Sequence, residues 1–478
     1  MASTRGKNPT QRQYKPVPCG GSLLKLMRAL QKNGKLEHHI PVQYTHERPA
    51  FNWAVDKHET DIQVHPIASR IPAGGPRTVP TIYSGIENWK HFLYPTEKLP
   101  WKLDDFLSRD ISPISVQIHA FNDATLLTLG FHHCVLDAIG GSHLLQTWAA
   151  IVAEREDEVK EFREEPERDV VREIIDSGRV KPENYLFHSQ RLKGRSRRFT
   201  VGRFLFSLLY ESISHPHQDW RTFCLPASFV AALKTQATAD VEGRFLSEGD
   251  VISAWRNRII AQALKLKPSK KIMMLQYYTL YGVLDELPAG KAHTGNSIAK
   301  MFAMTTVGDM LGQPLGKVAL STREALSKQR TKEQAEAFLA IQAKHTVMLF
   351  GAGSQIMLGT SNVARAGLFR VDFSSAIIPS ANTLSSPSLN EKVDCLSNFS
   401  TKEEKSRITC SSAEVPSRGT PACVHIAFHI GVPFSLRNVG PIIGKDADGN
   451  WWLSWEMRSS AWIEVERLLA RSGGVKVI

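Results

Sequence analysis

Residues 113–151 read PISVQIHAFNDATLLTLGFHHCVLDAIGGSHLLQTWAAI, and they spell out three consecutive elements. Ser115–Phe121 alternates polar and apolar side chains, the period of a half-buried strand. Asn122-Asp123 supplies a turn and Leu126–Phe131 returns, so the stretch predicts an antiparallel hairpin. Beyond it Leu144, Leu145, Trp148, Ile151 and Val152 recur at helical spacing, which predicts a helix over Ser142–Glu154. The junction between strand and helix holds His132, His133 and Asp137, with Gly140 and Gly141 just behind. Alternation at the strand end sends His132 and His133 to opposite faces, so only one of them can face a given cavity. An imidazole titrates near pH 6.5 and accepts a proton close to neutrality. Asp137 is placed to brace the turn, and the glycines allow a tight bend or a close approach of ligand to backbone. Plainer readings stand beside these: Asp137 as an ordinary helix N-cap, and the two histidines as core residues at a strand end.

The rest of the chain bounds the answer. Its 478 residues suffice for two or three domains, and 42% hydrophobic with 22% charged residues is ordinary globular usage. No window approaches the roughly 18–20 uninterrupted apolar residues of a membrane span. The N-terminus, MASTRGKNPTQRQYK, has no apolar core of a secretory signal, and the six cysteines show no CxxC spacing. These features predict a cytoplasmic protein without disulfides. The net charge of +12 raises the question of nucleic acid. Its densest basic stretch, RLKGRSRRF with Arg191, Lys193, Arg195, Arg197 and Arg198, lacks aromatics for base stacking and any recognisable nucleic-acid motif. It reads as a solvated interdomain linker, and no nucleic-acid partner is expected.

Further along, the mixed-charge run Glu154–Asp169 suits an exposed helix. A second half opens near Arg221 with strand-like RTFCLP and the helix ASFVAALKTQATA. Asp250 is the expected N-cap of a helix over VISAWRNRIIAQAL. KIMMLQYYTLYGVL reads as a buried strand, and Pro314 to about Ala343 as one long helix. Ser374–Arg418 is rich in Ser, Thr, Asn and Pro with little periodicity, and structureless segments of that length are uncommon inside a domain. Gly351-Ala352-Gly353 fails as a dinucleotide fingerprint because Ile356 stands at the third glycine position. His425 and His429 lack the HExxH context, so no metal is expected.

Residues 113–151 resemble, nearly residue for residue, the active-site region of BAHD-type acyltransferases, in particular the fungal branch that includes trichothecene O-acetyltransferases. The resemblance extends to Lys35–Arg48 (KLEHHIPVQYTHER), Phe245–Arg258 (FLSEGDVISAWRNR), Gly295-Asn296, Pro314–Leu326 (PLGKVALSTREAL) and Ile442–Trp455 (IIGKDADGNWWLSW). It implies a two-domain α/β fold of the chloramphenicol-acetyltransferase type, each half a mixed sheet flanked by helices. The halves would comprise residues 16–185 and 221–478, joined by a crossover over 186–220, behind a basic tail over 1–15. It also implies direct acyl transfer from an acyl-CoA, acetyl-CoA by the branch, to a hydroxyl of a fungal secondary metabolite such as a terpenoid, polyketide or trichothecene. His133 would be the general base, with no bound cofactor, and the chain a monomer. Asp137 matches the family's structural aspartate, and Cys134 is left a packing role.

Three features depart from the family pattern. Only PVPCGGSL matches its usual opening elements. The strand YYTLYGVLDELP lacks the arginine that commonly meets the aspartate, leaving backbone N–H groups or Arg323 to hold Asp137. The DFGWG signature reads Val371-Asp372-Phe373-Ser374, with Gly419-Thr420-Pro421 as its continuation beyond Ser374–Arg418. That segment therefore interrupts one motif, as a retained intron or a natural loop. Two other functions share features of this sequence. Peptide-synthetase condensation domains carry HHxxxDG, here with Ala138 in place of the glycine, and a catalytically inactive CoA-binding or regulatory homologue fits the incomplete motifs.

Overall fold

The computed structural model describes residues 52–94, 114–133, 136–160, 170–187, 194–292, 295–344, 354–377, 419–426, 437–471, 474 and 476–477. The predicted hairpin is present as β3 (Ile114–Ala120) and β4 (Thr125–Phe131), in register from Ile114 opposite Phe131 to Ala120 opposite Thr125. Its turn closes where Asn122-Asp123 was expected, with Phe121 N–H donating to Ala124 O at 2.8 Å. Strand β1 (Asn52–Lys57) pairs parallel with β3, completing a three-stranded sheet ordered β1-β3-β4.

The second sheet has eight strands in the order β11-β2-β5-β10-β9-β8-β6-β7. They are β2 (Thr81–Tyr83), β5 (Gln218–Leu225), β6 (Lys271–Thr279), β7 (Ile298–Thr306), β8 (Ile356–Asn362), β9 (Val439–Lys445), β10 (Trp451–Arg458) and β11 (Lys476–Val477). β2 lies within residues 16–185, yet it is hydrogen-bonded to β5 with Thr81 opposite Cys224. The first half thus lends a strand to the second, and Ile82 and Tyr83 are buried there.

Among the described residues the helices are α1 (Ile86–Leu93), α2 (Ala138–Val152), α3 (Val170–Asp176), α4 (Gly194–Ser214), α5 (Ala227–Ala239), α6 (Glu248–Ala263), α7 (Val307–Gly312), α8 (Leu315–Gln329), α9 (Lys332–Lys344) and α10 (Ser459–Arg471). Several differ from the sequence reading. The cap of α6 is Ser247 rather than Asp250. Ser247 Oγ accepts from Asp250 N–H at 3.2 Å while Asp250 Oδ2 accepts from Ser247 N–H at 2.8 Å, a reciprocal box spelled S-E-G-D. The long helix after Pro314 breaks at Arg330 into α8 and α9. The expected exposed helix from Glu154 ends as soon as it begins. Glu154 takes a left-handed φ of 57°, a 3-10 turn, Glu156–Glu158, follows, and residues 161–169 of the expected helix lie outside the described residues. The basic linker is helical, since Gly194–Ser214 forms α4 across the crossover.

The main core forms where α6 lies against the large sheet, with Val251, Ile252, Ala254 and Ile260 fully or almost fully buried beside Leu453, Trp455 and Trp462. Arg256 is buried with them at 0% exposure. Its Nη1 donates to Thr360 Oγ1 (2.9 Å) and its Nη2 to Asn438 O (3.0 Å), tying α6 to β8 and to the start of β9. Burial pulls its guanidinium down to about 9, and it stacks 5.3 Å from the Trp455 ring. Residues 1–51, including the tail over 1–15, lie outside the described residues, as do Cys134, the Gly351-Ala352-Gly353 run and His429.

Candidate active site

β4 ends at Phe131, and the chain leaves the sheet just before the motif. His132 is half-buried and His133 exposed in the turn that follows, so the strand alternation predicted for the pair stops short of them. Burial, with the neighbouring His133 adding to it, lowers the pKa of His132. Gly130 is required one residue before the strand ends. A Cβ there would sit 2.0 Å from Tyr94 Cε2, so the Tyr94 ring presses directly on the backbone of β4.

Asp137 caps α2, as its plainer reading held. Its Oδ1 accepts from Ile139 N–H (2.9 Å) and Gly140 N–H (2.8 Å). Its second oxygen does something a cap does not need, accepting from Ser297 N–H at 2.9 Å. Ser297 immediately precedes β7, in the other half of the chain. Among the described residues no arginine is seen to complete the pair, and Arg323 faces Asp250 instead at 3.6 Å. The alternative of backbone N–H donors is the one realised. Burial pushes the Asp137 carboxyl above its usual range, and the N–H groups of Gly140, Ser297 and Ile139 pull it back.

The residue before Ser297 completes the junction. Asn296 Nδ2 donates to His133 O at 2.8 Å and lies 3.4 Å from His133 Nδ1. The first bond fixes the loop that carries the imidazole. The second contact is too long to set its tautomer. The expected site residues are thus brought together: His133 at the rim, Asp137 beneath it, and Asn296-Ser297 across the join. Asn296 was visible in the sequence only within a two-residue resemblance, and the part played by Ser297 was not signalled at all, since it acts through its backbone.

Gly140 and Gly141 sit in the first turn of α2 rather than in a bend, where a Cβ on Gly141 would lie 3.6 Å from the Phe131 ring. α2 is pinned on its far side. Ser142 Oγ donates to Ala366 O, Gln146 Nε2 reaches the same carbonyl at 3.2 Å, and Trp148 meets Phe373 edge-on with centroids 5.2 Å apart. Phe373 therefore buttresses the helix behind the histidine. Among the described residues no group of three or more His, Cys, Asp or Glu side chains is placed to hold a metal ion. His425 instead lies 3.4 Å from Thr222 Oγ1, and burial lowers it to about 4.

A small sheet ending in a histidine turn is thus locked by an aspartate onto the residue just before a strand of the larger sheet. The chain belongs to the Transferase family, the BAHD-type acyltransferases, whose pattern matches residues 99–377. By class it is an acyl-CoA-dependent acyltransferase. Its relatives include acetyltransferase adrJ of Penicillium roqueforti, 30% identical over 93% of this chain and 85% of that protein. Another relative is named transcriptional regulator calD, from Penicillium decumbens, 26% identical over 92% of this chain and 84% of that protein. The fold is shared with F. sporotrichioides TRI101, crystallised with coenzyme A and T-2, at a TM-score of 0.53 and 15% identity, covering 87% of this chain and 78% of that one.

Proposed function

We propose that the chain is an O-acetyltransferase that moves the acetyl group of acetyl-CoA onto a hydroxyl of a fungal secondary metabolite, a terpenoid, polyketide or trichothecene, with His133 as general base. The observation that carries this is the junction at the motif, where Asn296 holds the His133 carbonyl and Ser297 holds Asp137. A base must be held still to be worth the roughly 10²–10⁴-fold that proton transfer contributes. Neutral imidazole would take the acceptor's hydroxyl proton as the oxygen attacks the thioester carbonyl. The tetrahedral adduct would then collapse, breaking the C–S bond, and the departing thiolate would receive the proton from the imidazolium. No covalent acyl-enzyme is needed, which agrees with the packing role left to Cys134. Asp137 would be a positioning residue. The chain would act as a cytoplasmic monomer, with Ser374–Arg418 an interruption of the Asp372-Phe373-Gly419 signature.

The test begins with thermal melting with and without acetyl-CoA, since a ligand that binds only the folded state stabilises it by about 2.7 kcal/mol at 100 times its Kd. It continues with acetyl transfer to a panel of hydroxylated metabolites. A saturable shift with turnover that His133→Ala abolishes is the expected result. Turnover that His133→Ala leaves within about tenfold of the parent overturns the assignment. A second reading, a CoA-binding homologue without turnover, is favoured by one observation: the relative named as a transcriptional regulator aligns over 92% of the chain. It predicts the same melting shift and no transfer to any acceptor.

A further inference from the structure

The crossover helix α4 is apolar on two sides. On one face Thr200 is buried and Val201, Phe204, Leu205 and Leu208 are half-buried. The opposite face carries Phe199 (73% exposed), Phe206 (68%), Leu209 (44%), Tyr210 (63%) and Ile213 (71%). These positions fall seven, three, one and three residues apart, a single stripe along a helix of 21 residues, which is about 31 Å long. Exposed large hydrophobics scattered singly need no explanation, but a continuous stripe marks an interaction surface. The helix is also clamped in place. Glu211 on its packed side meets Arg437 at 3.2 Å and Arg458 at 3.8 Å, so the stripe is presented in a fixed orientation.

Charge on the surrounding surface says what the stripe meets. Arg198 and Arg203 are exposed on α4 itself. Beside it opens a cavity of about 600 Å³ lined by Arg203, Lys265, Lys267, Lys270 and Lys271, with Ser269 and Ser354 between them. Glu464, 3.1 Å from Lys265, is the acidic group at its rim, and no carboxylate lines the cavity. We propose that this face docks on an anionic lipid surface, α4 lying in the plane of the membrane with its aromatic and aliphatic stripe in the interface and the lysine basin on the headgroups. An apolar stripe bordered by cations is the pattern of interfacial binding. Each lysine near such a surface adds to the attraction. An acidic protein would satisfy the cations, but a fixed stripe of this length on an exposed helix face suits a planar partner. No helix among the described residues is long and apolar enough to cross a membrane, so the contact is peripheral.

The test is co-sedimentation of the full chain with phosphatidylcholine vesicles, with and without about 30 mol% phosphatidylserine. Binding is expected only with phosphatidylserine and should fall steeply with salt. Phe206→Ser with Ile213→Ser should weaken it about tenfold, and Lys267→Glu with Lys270→Glu by a similar factor. Melting temperatures of both double variants should stay near that of the parent, because all four side chains lie at or near the surface. Absence of binding to charged vesicles overturns the proposal, as does binding that neither double variant weakens. If sedimentation velocity instead finds a dimer that Phe206→Ser with Ile213→Ser dissociates, without vesicle binding, the stripe is an interface between two copies and the proposal is wrong.

Discussion

The two arms of the candidate site are built by different means. The arm from Phe131 to Gly140 is local: a strand end, a turn and a capped helix, each encoded within a few residues. The arm from Asn296 to Ile298 has no such internal structure. It is placed by β7, whose register against β6 runs from Ile298 opposite Thr279 to Thr306 opposite Lys271. Leu280 N–H also donates to Ser297 O at 2.9 Å, fixing the approach to β7 from its partner strand. The local arm brings His133, the proposed base, and the distant arm brings the restraints. The comparison teaches that the proposed base is a property of one segment and its aim a property of two.

Removing each contribution in turn tests that division. His133→Ala takes away the proposed base and leaves in place the bond from Asn296 to the His133 carbonyl and the one from Ser297 to Asp137. Transfer should fall by about 10²–10⁴-fold with the melting temperature unchanged, read by initial rates and calorimetry. A large fall in melting temperature would mean that His133 serves the fold. Asp137→Ala takes away the lock. It removes the cap of α2 and leaves the buried Ser297 N–H without its acceptor, together about 2–4 kcal/mol of stability. The rate should fall as well. Asp137→Asn separates the two parts, because its carbonyl oxygen can still cap Ile139 and Gly140 while its amide group cannot accept from Ser297. It should recover the capping share of stability and leave the rate depressed. Full recovery of both by asparagine would show that the bond across the join is dispensable.

Asn296→Ala should act on aim alone. Loss of the 2.8 Å bond to the His133 carbonyl is expected to cost about tenfold in kcat with little change in KM, and no more than about 1.5 kcal/mol in stability. His132→Ala should change the rate by about threefold or less, since the half-buried ring lies before the turn that Asn296 holds. Losses of similar size from His132→Ala and His133→Ala would mean that the comparison of the arms has chosen the wrong imidazole.

The same division explains what could be read from the sequence. The hairpin, the helix α2 and the capping role of Asp137 rest on residue types a few positions apart, where period and chemistry act directly, whereas the preference for His133 over His132 came only with the family resemblance. Ser297 was invisible because any residue but proline supplies a backbone N–H, and Asp137 chooses it by position alone. β2 was missed because three residues, Thr81–Tyr83, show no alternation, and their pairing with β5 across the expected boundary is a long-range event. The crossover helix was hidden for the opposite reason. Apolar side chains on both faces of α4 leave no contrast between faces for a helical period to report, while the arginines near its start drew attention to solvent.

The interrupted signature gives the smallest expected effect and the sharpest check on how the second half is organised. Phe373 N–H donates to Gly419 O at 3.0 Å, and a Cβ on Gly419 would lie 2.3 Å from Ser374 N. The two ends of the interruption are therefore almost within bonding reach, and Gly419, at a φ of +107°, tolerates the approach because it has no side chain. Asp372 Oδ1 now accepts from Ser374 N–H at 2.9 Å. If Ser374–Arg418 is deleted, Gly419 follows Phe373 directly and its own N–H takes that place. Phe373 would stay against Trp148, so α2 and the motif in front of it keep their support. Closing a loop of roughly 45 residues costs about 3 kcal/mol of chain entropy by the logarithmic rule, and the joined chain is relieved of it. The expected outcome is a folded protein whose melting temperature equals or exceeds that of the parent, with acetyl-CoA binding retained. A chain that no longer melts cooperatively after the deletion would show instead that residues within the segment belong to the fold.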